Sequence, residues 1–133
     1  MERSSALKDI GILTLVLGVL FLAFLGHRPF SAPDEGRYVE IPREMVATGD
    51  YLTPHLNGLQ YFEKPPLGYW IQAGFIKAFG LSEFAMRLPL VLLGLIGCIM
   101  VYLAGRQLFN RDAGLWGSII LGTSFLYYTL TRI

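Results

Sequence analysis

Two short charged clusters contain the residues whose types and spacing could do chemistry. The first, in SAPDEGRY, holds Asp34, Glu35 and Arg37, and the second, in YFEKPP, holds Glu63 and Lys64. A guanidinium binds phosphate through its planar fork and an ammonium binds it as a point charge, whereas a carboxylate can act as a general base. Together these residue types would suit chemistry on a phospholipid-like carrier at the level of the lipid headgroups.

Simpler structural roles are open to the same kinds of residue. Asp34 is a favoured type for capping the helix that follows it. Glu63 and Lys64 could make ordinary contacts with headgroups. Arg37, Glu40, Arg43 and Glu44 lie at three- and four-residue spacings that suit local pairing on a solvated helix face, and we expect Arg43 and Glu44 to be structural.

The composition predicts a membrane protein. Of the 133 residues, 53% are hydrophobic and only 16% are charged, whereas soluble domains average about 25% charged residues. The net charge of +1 gives no indication of nucleic-acid binding. Cys98 is the single cysteine of the sequence, so an intrachain disulfide is excluded. It lies in an apolar run, where a buried packing role is expected.

Three apolar segments are predicted to span the bilayer, at residues 10–26, 88–105 and 113–130. The first is close to the minimum length of about 17 residues for a spanning helix. We interpret it as an uncleaved anchor, because Phe30 stands where a signal-peptide cleavage site requires a small residue.

Basic residues set the predicted orientation. Arg3 and Lys8 precede the first span, and Arg106 and Arg111 lie between the second and third. The positive-inside rule therefore places these residues and the N-terminus in the cytoplasm. Residues 27–87 would then form a long outward, periplasmic loop.

Two helices are predicted within this loop. Apolar residues recur at helical spacing over 34–48 before Gly49, although Pro42 predicts a kink or a later start. A second helix over 66–79 would be about 21 Å long. It is too short for a bilayer core of about 30 Å, so we interpret it as an interfacial helix, with a fourth, tilted span as the alternative. Residues 50–61, including His55, are predicted to be loop.

Residues 33–70 resemble the first outward loop of bacterial aminoarabinose transferases. The resemblance rests on PDE-x-RY, E-x-x-REM, GD and YFEKP, in this order and spacing. These enzymes belong to the polyprenyl-phosphate-dependent glycosyltransferases related to the protein O-mannosyltransferases. The implied fold is an all-α integral membrane glycosyltransferase of the GT-C type. This chain would be its N-terminal portion, with three transmembrane helices and two interfacial helices in the outward loop.

The resemblance also implies roles for individual residues. Asp34 matches the catalytic aspartate, while Lys64 and Arg37 match positions that contact the phosphate of the donor. Tyr61 matches a tyrosine that lines the same region. Glu63 matches a position that contributes to a divalent metal site whose further ligands would lie outside this chain; no other cofactor is implied.

The implied reaction transfers a sugar, such as 4-amino-4-deoxy-L-arabinose, from a polyprenyl (undecaprenyl) phosphate carrier in the bacterial inner membrane. The acceptor would be lipid A or a related envelope molecule. Two alternatives stay open: an enzyme with a protein or glycan acceptor, and an inactive membrane protein that binds polyprenyl phosphate. Because the family's enzymes are several times longer, we expect the 133 residues alone to be an incomplete, inactive N-terminal part.

Overall fold

The computed structural model describes residues 2–27 and 34–132, and the side chains of residues 2–4, 34 and 35 lie outside the described part. Six helices and one short hairpin are described: α1 Glu2–Leu22, α2 Asp34–Thr48, β1 His55–Leu56, β2 Leu59–Gln60, α3 Leu67–Phe79, α4 Glu83–Leu108, α5 Arg111–Thr123 and α6 Phe125–Leu130. They form two compact units. The first contains the chain up to Ala23 and from Leu90 onward, and the second contains Phe24–Pro89.

Two of the described helices are long and apolar enough to cross a membrane. They contain Ser5–Leu22 in α1, with a mean hydropathy of 2.0, and Glu83–Leu108 in α4, with a mean hydropathy of 2.3. They correspond to the first two predicted spans. The helix bounds differ, because α4 begins before residue 88 and takes in Arg87. This arginine is buried, and its Nη1 donates to the carbonyl oxygen of Leu25 at 3.0 Å.

The third predicted span is divided between α5 and α6. Ser124 leaves the helical conformation between them, with φ −63° and ψ 134°. Its hydroxyl donates to the carbonyl oxygen of Leu121 at 2.8 Å, and that of Thr123 donates to Ile119 at 2.7 Å. Such side-chain bonds compete with the helical ladder. A third continuous span is therefore not seen among the described residues.

In the first unit, close backbone packing joins α4 to α5. A Cβ placed on Gly105 would lie 2.8 Å from the Cα of Gly114, so only glycine allows this approach. On the other side of the unit, Phe21 of α1 is fully buried beside the rings of Tyr127 and Tyr128.

In the second unit, α2 and α3 pack on a small core of Ile41, Met45 and Tyr69, with Tyr51, Leu56 and Tyr61 against it. The predicted bounds of the first loop helix agree with α2, which continues through a buried Pro42. The second predicted helix agrees with α3, for which Pro66 is the N-terminal cap residue. The prediction of loop over 50–61 is wrong for residues 55–56 and 59–60, which form the paired strands β1 and β2.

Candidate functional site

A tight hairpin leads the chain into the second predicted cluster. β1 and β2 are antiparallel, with His55 opposite Gln60 and Leu56 opposite Leu59. Asn57 and Gly58 both have positive φ, 54° and 77°, which is the geometry of the two-residue turns that suit hairpins. At the base, the Tyr61 N–H donates to the carbonyl oxygen of Pro54 at 2.8 Å. The chain therefore leaves the hairpin directly at Tyr61.

Helix α2 holds the tip of this hairpin. The Glu44 carboxylate accepts from the Gly58 N–H, with its two oxygens 3.3 and 3.2 Å from the nitrogen. The neighbouring Arg43 forms an ion pair with Glu40 at 2.5 Å on the same helix. Arg43 thereby lowers the pKa of Glu40. These contacts agree with the structural roles predicted for Arg43 and Glu44.

Helix α3 is fixed to the segment before the hairpin. The indole Nε1–H of Trp70 donates to the carbonyl oxygen of Tyr51 at 2.6 Å, and the Lys77 ammonium lies 4.7 Å from the centre of the Tyr51 ring. The Asp50 carboxylate accepts from the N–H groups of Leu52 and Thr53 at 3.0 and 3.1 Å. These bonds hold the pKa of Asp50 below its usual value. Both ends of the segment that carries Tyr61, Glu63 and Lys64 are therefore anchored.

Three predicted site residues come together here, and we call Arg37, Tyr61 and Glu63 the Tyr61 cluster. The Tyr61 hydroxyl donates to Oε2 of Glu63 at 2.7 Å. Arg37 of α2 acts on the same hydroxyl by its charge and a hydrogen bond. The bond to the Glu63 carboxylate is the stronger influence and raises the pKa of Tyr61, which keeps the phenol protonated. Lys64 follows directly in the chain, and its side chain is exposed.

The remaining predicted site residue, Asp34, is the first residue of α2. It precedes Arg37 by three residues, slightly less than one helical turn. Its side chain lies outside the described part of the structure. Its catalytic role stays a prediction.

The metal prediction for Glu63 also stays untested. Within the described residues, no three His, Cys, Asp or Glu side chains are grouped so that they could hold a metal ion. His55, predicted in a loop, is the first residue of β1. Glu63 is an exposed carboxylate and accepts a hydrogen bond from Tyr61.

The first unit contains a buried ionic cluster that was not predicted from the sequence. Asp9 is 3% exposed, and its carboxylate accepts from Nε and Nη2 of Arg111 at 2.8 and 2.7 Å. The Tyr102 hydroxyl donates to Asp9 at 2.7 Å and accepts from Arg106 at 2.8 Å. In the sequence, Arg106 and Arg111 indicate only the orientation of the chain in the membrane.

This ionic cluster lies at one end of an apolar groove between α1 and α5. The groove has a volume of about 400 Å³, and Leu13, Leu17 and Trp116 are among its lining residues. Its charged residues, Asp9 and Arg111, bind each other. A third polar residue of its lining, Thr123, donates its hydroxyl to the carbonyl oxygen of Ile119. These polar side chains of the groove are thus bonded to other groups of the helices, whereas the Tyr61 cluster combines a cation, a hydroxyl and a carboxylate.

Comparison with known proteins places the chain among membrane glycosyltransferases. Residues 63–133, just over half of the chain, match the family model described as dolichyl-phosphate-mannose-protein mannosyltransferase. The undecaprenyl phosphate-alpha-4-amino-4-deoxy-L-arabinose arabinosyl transferase 2 of Proteus mirabilis is 37% identical over 130 residues, covering 97% of this chain. An undecaprenyl phosphate-alpha-4-amino-4-deoxy-L-arabinose arabinosyl transferase of Edwardsiella ictaluri is 42% identical over 117 residues, covering 84% of this chain.

A solved structure is similar over nearly the whole chain. It is the crystal structure of ArnT from Cupriavidus metallidurans bound to undecaprenyl phosphate, with a TM-score of 0.87 and 35% sequence identity. The match covers 93% of this chain and 23% of that protein. The chain likewise spans 23% of the Proteus relative and 21% of the Edwardsiella relative, less than a quarter of either length.

Proposed function

The chain belongs to the dolichyl-phosphate-mannose-protein mannosyltransferase family, and from this premise we propose that it is part of a membrane glycosyltransferase that uses a polyprenyl-phosphate-linked sugar. The resemblance to aminoarabinose transferases, predicted from residues 33–70, is confirmed by the relatives. The proposed donor is 4-amino-4-deoxy-L-arabinose on undecaprenyl phosphate, and the proposed acceptor is lipid A or a related envelope molecule. The names of the relatives and the apolar helices α1 and α4 support this proposal.

The Tyr61 cluster is the observation that carries the proposal. A guanidinium from Arg37 and the protonated hydroxyl of Tyr61 are held together, and the exposed ammonium of Lys64 follows within three residues. During transfer the bond between the sugar's anomeric carbon and the carrier phosphate breaks, and negative charge returns to the phosphate oxygens. Cations fixed in advance stabilise that charge most effectively, whereas the Tyr61 hydroxyl already donates its proton to Glu63.

The acceptor decides what Asp34 would have to do. A phosphate acceptor already has ionised oxygens, so Asp34 would orient the acceptor or the sugar and need not remove a proton. A hydroxyl acceptor must lose its proton during attack, and Asp34 would then serve as the general base. In either case Glu63 would supply one carboxylate ligand to a divalent ion, which prefers oxygen ligands.

The proposed location is the bacterial inner membrane. In this arrangement the chain crosses the bilayer several times with its N-terminus in the cytoplasm, and the Tyr61 cluster faces the periplasm. Helices α2 and α3 would lie along the periplasmic surface of the inner membrane, where a lipid-linked donor presents its phosphate. The basic residues that flank the apolar segments support this orientation.

The family description favours a second candidate, an enzyme that glycosylates protein hydroxyl groups. A transfer assay with undecaprenyl-phosphate-linked sugar and either lipid A or serine- and threonine-containing peptides separates the two candidates. Transfer to lipid A supports the first proposal, and transfer to peptides supports the second. Donor binding without any transfer supports an inactive binding protein instead.

The test of the phosphate site is Lys64→Ala, measured by undecaprenyl phosphate binding in lipid nanodiscs with the protein at its full natural length. Loss of a charged partner should weaken binding by about tenfold or more. The matched control is Lys8→Ala, because Lys8 is an equally exposed lysine on α1 of the other unit. Near-normal binding by the Lys64 variant would overturn the assignment of Lys64 to the donor phosphate.

A further inference from the structure

The contact between Glu44 and the hairpin gives this helix residue a part in donor recognition. We propose that Glu44 is a positioning residue, which fixes Tyr61 and Lys64 in place by holding the hairpin that precedes them. This inference rests on the proposed function, because Lys64 is its expected point of action. Glu44 itself is not proposed to touch the donor.

The path from Glu44 to the site is short and made of described contacts. Its carboxylate accepts from the Gly58 N–H at the turn. From Gly58, the two residues of β2 lead directly to Tyr61, whose own N–H is bonded to Pro54. A displacement of the turn would therefore be passed along β2 to Tyr61 and then to Lys64.

The same helix also presents the other cation of the site. Arg37 and Glu44 are seven residues apart on α2, close to two turns, so they lie on the same face about 10.5 Å apart along the axis. Ile41 lies between them on this face and is fully buried in the core against which Tyr61 packs. Helix α2 thus fixes the hairpin tip at one point and acts on the Tyr61 hydroxyl through Arg37 at another.

No other side chain among the described residues accepts a hydrogen bond from Gly58. Its N–H bonds to Glu44, and without that carboxylate it would bond to water. Removing the Glu44 oxygens would leave the turn solvated and no longer attached to α2. The hairpin pairing and the Tyr61–Pro54 bond would remain, so the segment should move as a body without unfolding.

Three variants of Glu44 show whether the length of its side chain or its negative charge is needed to hold the hairpin. Glu44→Ala removes the acceptor, Glu44→Gln keeps an acceptor oxygen at the same reach without the charge, and Glu44→Asp keeps the charge on a shorter side chain. We expect the alanine and aspartate variants to weaken undecaprenyl phosphate binding in nanodiscs by about three- to tenfold. The glutamine variant should bind nearly as the wild type does.

A double variant tests whether Glu44 acts through Lys64. If it does, Glu44→Ala added to Lys64→Ala should cost little more than Lys64→Ala alone, because coupled residues are not additive. Full additivity would overturn the positioning role. This comparison also distinguishes the two proposals, since loss of binding by Lys64→Ala with no effect of Glu44→Ala contradicts only the role of Glu44.

Amide hydrogen exchange gives a readout without ligand. In Glu44→Ala the Gly58 amide, which loses its acceptor, should exchange faster than in the wild type, while the paired amides of the hairpin and those of α3 remain protected; Glu44→Gln should restore the slow exchange of Gly58. Unchanged exchange in the alanine variant would overturn the inference. Failure of the wild type to bind undecaprenyl phosphate would overturn the proposed function and, with it, the positioning role.

Discussion

Replacing Gly114 with alanine tests the close backbone contact between α4 and α5. The added Cβ would lie 2.5 Å from the carbonyl oxygen of Tyr102 and 2.9 Å from the backbone nitrogen of Arg106. Both are backbone atoms of α4, so neither can rotate out of the way. Because ordinary van der Waals contact begins at 3.4 Å, α5 would have to move away by about 0.9 Å.

The expected cost follows from two opposing effects. Overpacking a close contact destabilises a protein by about 1–3 kcal/mol, and a backbone obstacle favours the upper half of this range. Alanine has a higher helix propensity than glycine, which returns about 1 kcal/mol. We therefore expect the free energy of unfolding to fall by about 1–2 kcal/mol, a change of about 5- to 30-fold in the ratio of folded to unfolded protein.

The measurement is unfolding by sodium dodecyl sulfate in mixed micelles, followed by far-UV circular dichroism. Gly11→Ala is the matched control, because Gly11 is also helical and has no atom within 4 Å of a built Cβ. That variant should be unchanged or slightly more stable than the wild type. If Gly114→Ala lost no more stability than Gly11→Ala, the close approach of α4 and α5 at Gly114 would be refuted.

Three further outcomes are expected from the same unfolding measurement. The pKa of Asp50 is lowered in the folded state, so its ionised carboxylate stabilises the fold. The difference in unfolding free energy between the wild type and Asp50→Asn should be complete at about pH 6 and should disappear as the pH falls below 3.8, the ordinary pKa of an aspartate. Gly58→Ala should cost about 1 kcal/mol, because φ is 77° there, whereas Gly74→Ala, which meets no atom within 4 Å, should not destabilise. Asp9→Asn should lower the unfolding midpoint, and the charge swap Asp9→Arg with Arg111→Asp should recover part of the loss; no recovery would contradict the ion pair.

Local signals explain why the two loop helices could be predicted from the sequence. For α2, apolar spacing and the stop at Gly49 gave both bounds, and Gly49 has a φ of 78°, which suits a helix end. For α3, the prolines before it and Gly80 after it marked its limits. Pro66 occupies the N-terminal cap position and Gly80 the C-terminal one. The ends of these two helices are set by residues at the ends themselves, so the local sequence is sufficient to place them.

Signals of this kind are weak or absent where the prediction failed. Strands of two residues show no alternation, so only the turn at Asn57–Gly58 could be recognised, not the pairing on either side. The break at Ser124 has neither glycine nor proline at it. It arises where hydroxyl groups of Thr123 and Ser124 bond to carbonyls of the preceding turn. Because serines and threonines also occur inside the continuous helices of membrane proteins, their presence does not predict a break.

The candidate site shows the same division between local and distant information. The resemblance named Arg37, Tyr61 and Glu63, but their meeting depends on the reversal of the chain at the hairpin, which the loop prediction did not contain. Asp9 and Arg111 are 102 residues apart. In the sequence each is only a charged residue near the end of an apolar segment, so their pairing could not be predicted. Glu44 was predicted to be structural, and its contact with Gly58 agrees with that prediction. The same contact holds the hairpin that leads to Lys64. The residue types of such a site can thus be read from the sequence, whereas the residues that position it are identified only by the contacts that the fold creates.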